Sequence, residues 1–214
     1  MSRIELPEPD REGAMTVERA IATRASRRSF ADRSVTLEEI TTVLWAAQGI
    51  THTRGDVEMR AAPSAGATHP FVVFVEIASG GCASLEAGLY RYHPGTHELE
   101  VAIETPIRSG VSDAALGQPV VANAPATVVL AADYDRTVRE YPDHGERYVH
   151  MEAGHIAQNV HLICEARELH SCPVGAFVDD QLADVLELSD RLAALYLVPF
   201  GGAIGDHTGA GNHR

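Results

Sequence analysis

Two short, mostly apolar runs dominate the pattern of the chain, Phe71–Ile77 and Ala126–Ala132, interrupted only by Glu76 and Thr127. Both are rich in β-branched or aromatic side chains and show no polar alternation, so they predict strands buried on both faces. Residues 89–93 and 98–103 predict two shorter strands joined through the turn Pro94-Gly95-Thr96 as a hairpin. A last apolar strand is expected over residues 194–200. Helical spacing appears between these runs. Val17, Ala20 and Ile21 predict a short amphipathic helix within residues 16–24. Thr36 and Glu39 form a capping box, Leu37, Ile40, Val43, Leu44 and Ala47 trace one face, and Gly49 supplies a stop, which predicts a helix over 37–48. Further helices are expected over 108–116 and from an Asp179 N-cap through Leu188. The longest helix is expected over 147–169, where Val149, Ala153, Ile156, Val160, Ile163 and Leu169 put apolar residues on more than one face. Such a helix belongs at the centre of a fold or of a dimer. Residues 51–68 read as a loop of Gly, Pro, Ser and Ala, small enough to let backbone approach a ligand closely. Together these elements predict an α+β fold with a mostly antiparallel central sheet flanked by helices. Residues 1–15 form an N-terminal extension, and 16–214 form a single domain.

Composition narrows the function. The 214 residues carry 30 acidic groups against 17 arginines and no lysine, a formal net charge of −13. That balance excludes a general nucleic-acid or anionic-membrane binder. Without lysine there is no Schiff base and no Walker-A phosphate lysine. An acidic, lysine-free surface is typical of proteins that stay soluble in concentrated salt, and a GC-rich genome also suppresses lysine. Cys82, Cys164 and Cys172 are odd in number and lack CxxC spacing, so a reducing compartment, hence the cytoplasm, is expected. No apolar run is long enough to span a bilayer, and a soluble protein is expected.

Against this acidic background, Arg24, Arg27, Arg28 and Arg33 fall within ten residues. Around Ser26 and Ser29 they alternate guanidinium groups with hydroxyls, the chemistry that grips a phosphate through forked, charge-assisted hydrogen bonds. The competing reading is a solvated helix end with surface ion pairs. Other chemistries fit less well. His150, His155 and His161 lie five and six residues apart on the long helix, which does not put zinc ligands on one face. His93 and His97 are separated by a turn. Ser64 is not in a GxSxG elbow, no GxGxxG follows a strand, and Cys172 reads as a small buried thiol before it reads as a nucleophile.

Four segments occur in an informative order: Arg24-x-Ser26-x-Arg28-x-Phe30, Ala62-Pro63-Ser64-Ala65-Gly66-Ala67-Thr68-His69-Pro70, Glu152-Ala153-Gly154-His155-x-x-Gln158-Asn159, and Cys172-Pro173-Val174-Gly175-Ala176-Phe177. In this order and spacing the chain resembles the FMN-dependent nitroreductase superfamily over residues 20–201. Leu44-Trp45-Ala46-Ala47-Gln48-Gly49-Ile50 and Gly88-Leu89-Tyr90-Arg91-Tyr92 make it most similar to the SagB-type dehydrogenase branch.

The resemblance implies a nitroreductase-like, intertwined homodimer with FMN as cofactor. It implies that Arg24, Ala25, Ser26 and Arg28 bind the FMN phosphate and ribityl chain, with the last arginine near the N1 and O2 edge of the flavin. It implies that Pro63, Ser64, Ala65, Gly66 and Ala67 reach FMN across the dimer interface, and that Pro173, Val174, Gly175 and Ala176 lie along the flavin ring. Two positions depart from the family pattern. The only arginine after Gly201 is Arg214, the candidate for a C-terminal phosphate contact, and the Lys-Tyr pair of the azoline-oxidising members reads Glu140-Tyr141. Tyr141 remains the candidate proton donor or acceptor, while the charge reversal at Glu140 weighs against azoline chemistry. The implied activity is an FMN-dependent oxidoreductase that takes electrons from a nicotinamide nucleotide and passes them to a small nitroaromatic or quinone acceptor. A SagB-type substrate dehydrogenase and a non-catalytic flavin binder are the alternatives.

Overall fold

The computed structural model describes residues 2–205. Its centre is a seven-stranded sheet in the order β1-β6-β5-β4-β7-β9-β8. The strands are β1 (Arg3–Glu5), β4 (Phe71–Ile77), β5 (Gly88–His93), β6 (Glu98–Ile103), β7 (Ala126–Ala132), β8 (Leu169–Ser171) and β9 (Ala193–Gly202). Every pairing between these strands is antiparallel.

The two mostly apolar runs are β4 and β7, neighbours in the middle of the sheet. Their alternate residues divide between two cores. Phe71, Val73, Val75 and Ile77 of β4 and Val128 and Leu130 of β7 face one core, where they meet the helices α2 (Leu37–Gln48) and α6 (Gly145–Ala166). Phe74 and Val129 face the other, with α3 (Arg108–Ala114), α4 (Pro119–Ala122) and α7 (Asp179–Val185). A strand covered on both faces has no use for polar alternation, and each fully buried side chain of this size stabilises by roughly 1.5–3 kcal/mol. Helix α2 opens on the expected capping box, with the Thr36 hydroxyl accepting from Glu39 N–H and the Glu39 carboxylate accepting from Thr36 N–H. Helix α6 lays Val149, Ala153, Ile156, Val160 and Cys164 on the first core. Its other side leaves Met151, Gly154, His155 and Gln158 exposed.

The expected elements differ from the observed ones in a few places. Within the expected loop 51–68, β2 (Ile50–Arg54) and β3 (Val57–Arg60) pair as a hairpin around Gly55-Asp56, and a 3-10 turn follows at Ala65–Ala67. The helix after Phe177 starts at Asp179, which lies in its first turn, while Val178 occupies the cap position without a side-chain bond. The polar stretch after β7 contains the short helix α5 (Tyr134–Val138). At the amino end, Arg3–Glu5 adds an edge strand to β6, and Val17–Thr23 forms α1.

Candidate functional site

The arginine segment leaves α1 and runs along the β8 end of the sheet. Arg27 N–H donates to the Ser171 carbonyl at 3.1 Å, His170 Nδ1 donates to the Ser29 carbonyl at 2.8 Å, and Ala31 N–H donates to the Gly202 carbonyl at 2.9 Å. The Phe30 ring fits against Gly201, where a Cβ would come within 3.0 Å of it. These bonds place the segment beside Cys172 and the turn that follows.

The four arginines then part company. Arg27 is paired with Glu165, and Arg33 grips Glu39 with both ends of its guanidinium at 2.7 and 3.0 Å. Arg24 and Arg28 have no carboxylate partner among the described residues. Arg24 donates to His161 Nε2 at 3.0 Å, and Arg28 is exposed with only the Ser26 carbonyl at 3.5 Å. Ala25 and Ser26 are exposed beside them. Two positive charges and a hydroxyl on one short stretch, with neither charge cancelled internally, fit a phosphate monoester.

The turn after β8 is held from three directions. Val174 exchanges both backbone bonds with Leu197, at 2.7 and 3.0 Å, and Cys172 N–H donates to Pro199. Gln118 Nε2 donates to the Ala176 carbonyl at 2.8 Å, and Val178 N–H donates to Ala114. Gly175 and Ala176 are exposed, and their N–H groups have no partner among the described residues. Pro173 is half-buried, and the Cys172 side chain is buried at 2% exposure, as a packing thiol is.

The Pro63 loop lies elsewhere on α6. Ser64 Oγ accepts from His69 N–H at 2.9 Å, and the Ser64 hydroxyl lies near enough to Glu152 to favour its charged form. Glu152 is 2% exposed, and burial raises its pKa despite the opposing pull of Ser64 and Gln48. Gly66 has φ +57°, and the next turn continues in the left-handed region with Ala67 at φ 53° and His69 at φ 44°. Non-glycine residues held there each cost about 1–2 kcal/mol, and such strain concentrates at functional loops. The Tyr141 hydroxyl occupies the space that a Gly66 Cβ would need, 2.7 Å away, and its ring packs edge-on against Tyr148. Tyr141 and residues 63–67 are therefore one cluster.

The sequence-predicted residues thus form two groups in one chain. Arg24 to Arg28 and His161 meet at Ser171, from which the chain runs into the Pro173 to Ala176 turn, and the Pro63 loop and Tyr141 sit near Glu152. Nine residues of α6, about 13.5 Å of helix, separate the two anchor points. Arg214 lies outside the described residues. Glu152, His161, Ser171 and Gln118 were not singled out as site residues from sequence. His161 drew notice only as a metal candidate, because its real neighbours are distant in the chain.

Comparison with known proteins follows the same boundaries. Residues 21–202 match the nitroreductase family. A nitroreductase-like protein of Methanocaldococcus jannaschii is 36% identical over 198 residues, 92% of this chain and 96% of its own. The microcin B17-processing protein McbC of Escherichia coli is 27% identical over 152 residues, 67% of this chain and 54% of its own. Among solved structures, a nitroreductase-like protein of Ralstonia eutropha superposes with a TM-score of 0.80 at 30% identity, covering 95% of this chain and 90% of that one. An NADPH:FMN oxidoreductase of Vibrio harveyi shares the fold with a TM-score of 0.62 at 19% identity, covering 88% and 69%. The match opens just before the unneutralised arginines and closes at the end of β9, so it contains both groups of site residues, and with the Methanocaldococcus jannaschii relative it establishes that the chain belongs to the nitroreductase family, as a nitroreductase-type oxidoreductase.

Proposed function

We propose that the protein is an FMN-dependent oxidoreductase that works as a homodimer, oxidising a nicotinamide nucleotide and reducing a small nitroaromatic, quinone or similar acceptor. The observation that carries the reading is the pair Arg24 and Arg28, left without carboxylates beside Ser26 on a segment that bonds Ser171, the residue from which the chain runs into the turn with the exposed N–H groups of Gly175 and Ala176. Arg24, Ser26 and Arg28 would hold the phosphate and ribityl chain. The Pro173 to Ala176 turn would lie along the ring system and offer it backbone donors, its shape kept by the bonds to Leu197 and from Gln118. FMN, when bound, supplies reversible hydride exchange, and the protein supplies binding, orientation and charge. A cation at Arg28 stabilises negative charge that develops on the reduced ring. The Vibrio harveyi neighbour is an NADPH:FMN oxidoreductase solved with NAD+, which supports both the cofactor and the electron donor.

The separation of the two groups along α6 supports a dimer, because the Pro63 loop of one protomer can complete a site only by reaching the arginine segment of another. The exposed face of α6, with Met151 and Gly154, offers an uncovered surface for such packing.

A second reading is favoured by Tyr141. Its hydroxyl packs against Gly66, so a SagB-type dehydrogenase that moves a proton at that oxygen is the alternative. Glu140, exposed beside it, brings a negative charge where azoline-oxidising members place a lysine.

Anaerobic mixing with NADH or NADPH tests the proposal. The enzyme's yellow colour bleaches within seconds and returns on adding a nitroaromatic or quinone. A yellow protein that does not bleach is a flavin binder without this activity. A colourless protein that does not retain added FMN overturns the reading entirely.

A further inference from the structure

Arg24, Arg27 and Arg33 each have a side-chain partner within the chain, and the partners differ in one respect. Arg27 and Arg33 meet carboxylates, Glu165 and Glu39. Arg24 meets an imidazole. Guanidinium has no acceptor, so His161 Nε2 must accept from Arg24, which leaves the ring proton on Nδ1. That proton is donated to Ser171 Oγ at 2.6 Å, and the Ser171 hydroxyl also lies against the Cys164 thiol. His161 is 4% exposed and Ser171 is 2% exposed, so water does not compete for either bond.

From this geometry we infer that His161 is a positioning residue for the anion site: it orients Arg24 without neutralising it, so that the full positive charge remains available to a phosphate ester. The inference rests on the reading of Arg24 as a phosphate contact. A carboxylate at the same place would orient the guanidinium equally well, but it would also compete with the ligand, as Glu165 and Glu39 do at the two paired arginines. A neutral acceptor avoids that competition. The Ser171 bond serves to fix the tautomer, since an Nε2–H imidazole would turn a donor toward a donor.

The ring's surroundings keep it in this form. The groups facing it are Arg24 and Arg27 from the segment after α1, Glu165 and the buried Cys164 from α6, and Ser171 from β8. Burial, with Arg24 beside it, holds the His161 pKa down to about 4, so the ring is neutral throughout the physiological range.

The test compares FMN dissociation constants of the apo-protein variants by quenching of flavin fluorescence, with folding checked by circular dichroism. In His161→Gln the amide oxygen reaches the place of Nε2 and remains neutral, whereas in His161→Glu it carries a charge. His161→Gln should bind FMN within about 3-fold of the wild type, while His161→Glu and His161→Ala should bind about 10-fold or more weakly. In the unliganded protein, nitrogen NMR should show the Nδ1–H tautomer of His161 and no titration above pH 5. If His161→Glu binds as tightly as His161→Gln, or His161→Ala as tightly as the wild type, while Arg24→Ala is weakened, this inference falls and the phosphate site stands. If Arg24→Ala itself binds normally, the phosphate assignment of Arg24 falls first. An Nε2–H tautomer or a titration near pH 6.5 overturns the inference without any cofactor present.

Discussion

Arg108 of α3 reaches across to Glu76 near the end of β4, and this ion pair lies in the layer that holds the Pro173 turn. Arg108 Nε donates to Glu76 Oε1 at 3.0 Å, and the guanidinium also donates to the Val121 carbonyl at the end of α4. The same α3–α4 unit bonds the turn through Gln118 and Ala114. Glu76 is fully buried, and the Arg108 side chain is only 12% exposed. Burial raises the Glu76 pKa from 4.5 to about 7 against the opposing pull of Arg108, and it lowers that of Arg108. Both groups are thus pushed toward their neutral forms, which means desolvation outweighs their attraction. The rise at Glu76 corresponds to about 3 kcal/mol of native-state penalty on the carboxylate even with its partner present. Removing the partner by Arg108→Met leaves the carboxylate buried alone and should cost about 3–5 kcal/mol. The double variant Glu76→Met with Arg108→Met removes both penalties and should range from neutral to about 4 kcal/mol more stable than the wild type. Urea unfolding of the apo-protein at pH 7.5 measures both, together with Glu76→Met alone. The pH dependence has a definite sign: the folded state holds the Glu76 proton to higher pH than the unfolded chain, so this group's contribution to stability falls as pH rises from 4.5 to about 7. Glu76→Gln should remove that fall. A cost below 1 kcal/mol for Arg108→Met, or a double variant no better than the sum of the single ones, would refute the reasoning.

Other predictions address the site and the surface. Arg24→Ala should weaken FMN binding by about 1.5–3 kcal/mol in a fluorescence titration, whereas Arg27→Ala should leave the affinity within about 3-fold and lose only the Glu165 pair. Equal effects from the two variants would contradict the division between neutralised and free arginines. Gly66→Ala meets both a positive φ of 57° and the Tyr141 hydroxyl, so thermal unfolding should show a loss of about 1–2 kcal/mol, part of which Tyr141→Phe in the same chain restores. No recovery would mean that the loop yields without touching Tyr141. If the acidic, lysine-free composition reflects salt adaptation, circular dichroism and activity should both be higher in molar salt than in salt-free buffer. Identical behaviour in the two would remove that explanation.

Much of the fold was legible in one dimension because its signals are local. Phe71–Ile77 and Ala126–Ala132 announce doubly buried strands by the absence of alternation, and the Thr36 to Glu39 box closes within four residues. The β2–β3 hairpin left no such trace, since neither strand has a fully buried residue and neither needs an apolar face. Asp179 has the chemistry of a cap, yet the chain enters α7 from Val178, whose N–H is already bonded to Ala114, so the acid falls inside the first turn. The site divides in the same way. Sequence alone located the arginines, hydroxyls, small residues and turns, because these are properties of residue types at short spacing. Which arginines keep their charge was decided only in three dimensions: Arg27 finds Glu165 across 138 residues and Arg24 finds His161 across 137. A side chain's net charge toward a ligand depends on what neutralises it, and the neutralising group is chosen by how α6 and β8 pack beside the segment, not by anything adjacent in the chain.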